Sequence, residues 1–150
     1  TIYFFYPETG SRSLEEIAAK VVHQPDAELA ILLVARADWH QPAPQLGVCL
    51  CRRTWSNGIC VDFLTVDPRD ASPRRRRIGG VGRGLLFLVT EVAEAIRAKT
   101  IGGEATPLSA PAYRHMFGDP QIEDFFRLSR RAYRRFRATV RAKWLESALP

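Results

Sequence analysis

Residues 74 to 86 read Arg74-Arg75-Arg76-Arg77-Ile78-Gly79-Gly80-Val81-Gly82-Arg83-Gly84-Leu85-Leu86. Four glycines in six positions let a backbone approach a ligand closely and turn its N–H groups inward. A strand-like run, Ile59 to Val66, comes before this stretch, and a helix-like run, Leu85 to Lys99, comes after it. A helix N-terminus directly behind the glycines would hold an anion, most naturally a phosphate. The plainer reading is a loop that only needs flexibility. Which of the two holds decides most of what can be said about function.

The flanking elements follow from pattern. Ile2 to Tyr6 is aromatic and β-branched and reads as a first strand stopped by Pro7. Ser13 with Glu16 three positions on marks a helix start, and Leu14, Ile17, Ala18 and Val21 carry helical spacing to about His23. Leu29 to Ala35 is a continuous apolar run, expected as a strand buried on both faces. Leu46 to Arg53 and Ile59 to Val66 read as antiparallel partners around Ser56-Asn57-Gly58, because Asn-Gly tolerates positive φ at both positions. In the helix from Leu85, the residues Leu85, Leu88, Val89, Val92 and Ile96 share one face. Thr100 to Ala105 is a short glycine-weakened strand. Thr106 is expected to cap a short helix with Pro107 at its first position, carrying Tyr113 and stopping near Gly118. From Asp119-Pro120 a long amphipathic helix is expected to about Ala148, with Phe125/Phe126, Ser129, Tyr133, Phe136, Val140 and Trp144 on its apolar line.

At 150 residues the chain fits one domain, 1–150, read as a core over 1–118 and a C-terminal helical extension over 119–150. No apolar run reaches the roughly 18 residues of a membrane span. The apolar start, Thr1 to Pro7, is too short for a signal-peptide core and has no basic lead. Cys49, Cys51 and Cys60 lack framework or metal-knuckle spacing, so reduced thiols, no metal and a cytoplasmic setting are expected. The net charge of +6 is concentrated late: eight basic residues against three acids follow Pro120. A basic helix face can contact a polyanion, and it can equally be solvated over an apolar packing face. The histidines, His23, His40 and His115, form no catalytic constellation by spacing.

The order of elements resembles the GNAT (Gcn5-related N-acetyltransferase) superfamily, and three local features carry the resemblance. Leu64-Thr65-Val66-Asp67-Pro68 is similar to the end of that family's fourth strand, often Leu-x-Val-x-Pro. Arg77 to Leu86 is similar to its acetyl-CoA motif, [Gln/Arg]-x-x-Gly-x-[Gly/Ala], followed by two residues and a Leu pair. Thr106-x-x-Ser109-x-x-x-Tyr113-x-x-x-Phe117-Gly118 has the spacing of Asn-x-x-Ala-x-x-x-Tyr-x-x-x-Gly-Phe, with substitutions. The resemblance covers about residues 1 to 118. It departs in an enlarged loop between Pro68 and Arg77, in Thr106 for Asn, and in the final strand pair, in whose place a basic helix is read.

The resemblance implies an α+β fold, an α/β sandwich with a mixed, mostly antiparallel twisted sheet flanked by helices. It implies N-acetyl transfer from acetyl-CoA to an amine. The backbone at Arg77, Ile78, Gly79, Gly80, Val81, Gly82, Arg83 and Gly84 would hold the pyrophosphate, with a Cβ at Gly80 or Gly82 blocking approach. Thr65 and Val66 would pair with the pantetheine arm as an added strand. Tyr113 would be the acid for the leaving thiolate, or a packed core residue. Glu104, beside the point where the fourth and fifth strands would part, is the better-placed base, with Asp62 the other candidate. The acceptor amine is not readable. A nucleic-acid contact through the arginine-rich helix is the other reading, and a second copy of the chain is a further partner.

Overall fold

The structure is a computed structural model and describes residues 2–5, 13–37, 44–67 and 79–148. Six strands form one sheet in sequential order: β1 (Ile2–Phe5), β2 (Leu29–Arg36), β3 (Gln45–Arg53), β4 (Ile59–Val66), β5 (Thr100–Glu104) and β6 (Phe125–Ser129). All neighbours are antiparallel except β4 and β5, which run parallel. A parallel pair needs a crossover, and here that is α2 (Val81–Ala95). The remaining helices are α1 (Leu14–His23), α3 (Ala110–Phe117) and α4 (Arg130–Ala148).

The core lies on the face bearing Ile31, Cys51, Val61, Gly103 and Phe126, which align across five strands. On β2 the residues Leu29, Ile31, Leu33 and Ala35 are buried, while Ala30, Leu32 and Val34 are half-buried. The strand expected to be buried on both faces is therefore fully buried on one. The helices gather on the buried side. Gly47 on β3 lies so close to α2 that a Cβ there would stand 3.0 Å from Val81 and 3.1 Å from Leu85. Leu85, Val89, Val92 and Ile96 are buried as the periodicity predicts, and Leu88 is half-buried. Leu86, Phe87, Thr90 and Ala93 are buried as well, because α2 is flanked by α1 and α4. Each large apolar side chain so enclosed contributes roughly 1.5–3 kcal/mol.

Local signals held at several ends. The Ser13 hydroxyl accepts from the Glu16 amide at 3.1 Å, as a capping residue should. Gly118 closes α3 with φ +66°. At the β3–β4 turn only Asn57 has positive φ, so the turn is not the two-residue type expected, and its loop closes with Thr54 N–H donating to Gly58 O at 2.9 Å. Asn57 instead reaches across the fold: its side-chain amide donates to Ile96 O at 3.3 Å and Arg97 O at 3.1 Å, tying the hairpin tip to the end of α2.

Three expectations are corrected. Residues 125–129 are not helical. Phe126 and Leu128 are buried while Phe125, Arg127 and Ser129 are exposed, the period of two of a strand, and β6 pairs with β5 from Thr100↔Ser129 to Glu104↔Phe125. The sheet thus has a strand where a helix was expected, and α4 begins only at Arg130, with the Ser129 hydroxyl accepting from Ala132 N–H at 3.3 Å. Thr106 does not cap α3. Its hydroxyl accepts from Ser109 N–H at 3.2 Å in a turn before the helix, whose cap position is Ser109 and whose early proline is Pro111. Finally, α2 starts at Val81, so Gly82, Arg83 and Gly84 belong to its first turn and not to a loop.

Candidate functional site

The site is built where β4 leaves β5. These strands pair at only three positions, ending with Val61↔Gly103. Gly103 makes that closeness feasible: a Cβ there would lie 2.8 Å from Val61 O. One residue later β4 bulges. Leu50 and Cys51 on β3 face Phe63 and Val61, which leaves Asp62 unpaired between them. A bulge bends its strand and increases its twist, and beyond it β4 runs to Val66 without a β5 partner. Among the described residues nothing pairs with that side of β4, whose main-chain groups form a strand edge able to accept an extended ligand.

At the far end of this edge stands the first turn of α2. Gly80 takes the N-cap position with φ +82°, a left-handed conformation that a side chain would strain, and offers no side-chain cap. Glycine is therefore needed at 80 for backbone conformation, since a Cβ there would meet nothing within 4 Å. The first helical bond runs from Gly84 N–H to Gly80 O at 2.8 Å, so the amides of Val81, Gly82 and Arg83 lack an intrahelical acceptor. The first turn contains no acid. Gly82 adjoins Val66, at 3.6 Å from where its Cβ would stand. Beside them Gln45, Leu46, Gly47, Thr65, Val66 and Asp67 line a hollow of about 230 Å³. Of the residues expected in the phosphate cradle, Gly79 to Gly84 with Thr65 and Val66 are thus gathered at one place. Arg77, Ile78, the arginines Arg74 to Arg76, the enlarged loop before them and His40 lie outside the described residues.

No protein-family model and no curated protein matches the sequence. Solved structures do match in shape. A nourseothricin acetyltransferase aligns with a TM-score of 0.51 at 22% identity, over 70% of this chain and 66% of that one. A Klebsiella pneumoniae protein assigned as an acyl-CoA N-acyltransferase gives 0.52 at 13% identity, over 86% and 96%. A Bacillus anthracis protein assigned as a streptothricin acetyltransferase, solved with acetyl coenzyme A, gives 0.50 at 15% identity, over 85% and 84%.

The chain has the GNAT fold.

On this GNAT frame Tyr113 projects from α3 into the core. It is 6% exposed, its ring 5.9 Å from Phe117 and 4.7 Å from Phe126 between centroids. Burial pushes its phenol above the ordinary range, with Cys49 a lesser cause, so the hydroxyl keeps its proton at neutral pH. Glu104 ends β5 opposite Phe125, exposed and one residue beyond the last β4–β5 pair. The other base candidate, Asp62, is engaged: Arg52 Nε donates to both its oxygens at 3.1 Å, and Arg52 also lies 3.7 Å from Glu28. His115 is on the exposed side of α3.

The basic helix α4 lies against α2 in the GNAT frame, and the sequence did not disclose how. Arg134 donates to both Glu94 oxygens at 2.7 and 2.8 Å. Arg137 and Arg141 converge on Glu91, each donating to it at 3.1 Å. These bonds, led by Arg137 on Glu91 and Arg134 on Glu94, hold both carboxyls below their ordinary value of 4.5. Arg130 also lies 3.8 Å from Glu94, so four of the eight late basic residues share two carboxylates, and part of the positive charge that suggested a polyanion partner is compensated. The only sequence sign was Glu91 and Glu94 sharing a helix with Arg-rich spacing on another.

Proposed function

We propose that this chain transfers an acyl group from acyl-CoA to an amine. One observation carries the reading: Gly82 and Gly84 sit in the first turn of α2 where, among the described residues, nothing would crowd the Cβ that each lacks. A Cβ at Gly82 would make ordinary contact with Val66 at 3.6 Å, and one at Gly84 would meet only Trp144 at 4.0 Å. Each glycine costs a helix roughly 1 kcal/mol relative to alanine. A bare turn with free amides and no acid, at the end of an open strand edge, suits a pyrophosphate with an extended arm. Those residues suit the chemistry of acyl-CoA: main-chain amides for its phosphates and a strand edge for its arm.

The thioester supplies the activated acyl group. The amides of Val81, Gly82 and Arg83 would hold the pyrophosphate, and the main chain at Thr65 and Val66 would align the arm. As the amine nitrogen bonds to the acyl carbon and the carbon–sulfur bond breaks, Tyr113 would donate its proton to the leaving sulfur. Glu104, or water near it, would take the proton that the amine releases. Alignment of donor and amine is itself a large part of such catalysis. The test is thermal unfolding with acetyl-CoA. It raises Tm for the wild type and for Tyr113→Phe, which loses turnover, and it does not for Gly82→Glu. No shift in the wild type with any acyl-CoA contradicts the reading.

A second reading rests on Arg127, Arg131, Arg135 and Lys143, which are exposed and make no ion pair among the described residues. They leave a basic strip on which nucleic acid could dock. Binding of an RNA duplex would fall with salt and would weaken in Arg131→Ala with Arg135→Ala. Salt-insensitive or absent binding excludes it.

A further inference from the structure

β6 is the last strand of the sheet, and among the described residues nothing pairs with its outer edge. The register shows which groups lie on that edge. Ala105 N–H donates to Asp124 O at 2.7 Å, and bonded pairs recur every second residue in an antiparallel ladder, so Asp124, Phe126 and Leu128 turn their main-chain groups to β5. Those of Phe125 and Arg127 point the other way and meet no partner among the described residues. A strand edge in this state is a template for another strand. Proline and bulges are common guards of such an edge, and Phe125–Ser129 has neither in its sequence or register.

The side chains of the edge are also unspent. On the face away from the core, Phe125 is 50% exposed, although its ring lies across Gly102, where a Cβ would stand 3.0 Å from it. Arg127 is exposed and makes no ion pair among the described residues, unlike the four arginines of α4 that reach α2. Charge is divided along the edge. Glu123 and Asp124 stand at its start and Arg127 and Arg131 follow, all exposed and without an ion pair among the described residues. A uniformly acidic or basic strand would be repelled at one end. An antiparallel copy of the same edge sets acid against base at both.

We propose that β6 pairs with β6 of a second copy of this chain across a two-fold axis, joining two six-stranded sheets into one. Residues whose main-chain groups point outward must meet each other, which leaves few registers. Centred on Arg127, the pairing opposes two guanidiniums, which destabilises it. Centred on Phe125, the two strands overlap only at that residue. Centred on Phe126, each Phe125 faces the partner's Arg127, ring beside cation, and the two-fold makes that contact twice. Glu123 then lies opposite the partner's Ser129 and diagonal to the partner's Arg131. Glu104 is paired with Phe125 on the other side, so the partner's Arg127 falls in the same cross-strand row as the candidate base.

Sedimentation equilibrium over a concentration series tests this. The wild type should approach twice the mass of the chain. Arg127→Pro removes an N–H that the described fold does not use, at an edge position where proline is tolerated. It should stay monomeric with an unchanged circular dichroism spectrum. Phe125→Ala should weaken association roughly tenfold, because two ring–cation contacts are lost together. A wild type that is monomeric up to millimolar concentration, or an Arg127→Pro protein that still dimerises, overturns the proposal. A second measurement needs no proline. Phe125→Cys mixed with Arg127→Cys under oxidation should give a covalent dimer, and neither variant alone should do so. A mixture that does not cross-link, or a single variant that does, overturns the pairing about Phe126.

Discussion

At one end of α2, Val81 to Arg83 present amides with no intrahelical acceptor, no acid stands in the first turn, and Gly82 and Gly84 carry no side chain, Gly82 half-buried and Gly84 buried. At the other end of the same helix, Glu91 and Glu94 each draw two arginines from α4, and the surrounding side chains are buried. Residues in the second half are explained by what they touch inside the protein. The glycines of the first turn are not, and a helix that gives up stability where nothing among the described residues requires it is marked for something outside. The contrast also separates Gly80 from its neighbours. Gly80 is fixed by its own φ of +82°, whereas Gly82 and Gly84 have room for a side chain.

This contrast can be broken by substitution. Gly80→Ala places a Cβ in a left-handed conformation and should cost about 1–2 kcal/mol. Chemical denaturation measures it, and no loss would mean that the cap is not as strained as its φ implies. Glu91→Gln with Glu94→Gln should cost about 0.5–1 kcal/mol each at neutral pH, since the arginine partners are partly exposed. The sign with pH follows from the depressed folded values. The stabilisation is present above the ordinary value of 4.5 and is lost as pH falls through the lower folded values. Wild type and double variant should therefore converge in stability below that window; a gap that persists at acid pH would assign the effect to packing. Smallest, Gly84→Ala should stabilise the fold by about 0.5–1 kcal/mol, read as a raised Tm. A loss would show that the indole of Trp144 needs the space.

The sequence made the sheet's first four strands and α1 legible because their signals are local: alternation or an apolar run, a capping serine, an Asn-Gly turn. What escaped it depended on contacts far along the chain. Phe125 to Ser129 could be threaded onto the helical line of Tyr133, Phe136 and Val140 because no glycine or proline separates them. Only pairing with β5 selects the extended form, in which Phe126 covers Gly103. Gly82 and Gly84 argued against helix by propensity, yet α2 includes them, since burial of Leu85, Leu86 and Val89 outweighs their cost. The bulge at Asp62, which opens the fork, has no signature in Val61-Asp62-Phe63. Of the candidate site, the glycines, Thr65, Val66 and Tyr113 were legible as candidates through motif spacing, and Glu104 through the point where the fourth and fifth strands part. The Arg52 partner of Asp62 and the arrival of Trp144 at Gly84 were not, because both are set by register between elements.

The central claim is that the bare first turn of α2 is kept for a ligand. It is tested most directly by thermal unfolding of the wild type and Gly82→Ala, each with and without acetyl-CoA. The account predicts that alanine raises the Tm of the free protein, by the roughly 0.5–1 kcal/mol of its helix propensity, and shrinks the increment given by acetyl-CoA. A free protein made less stable by alanine, or an acetyl-CoA increment left at its wild-type size, would contradict it.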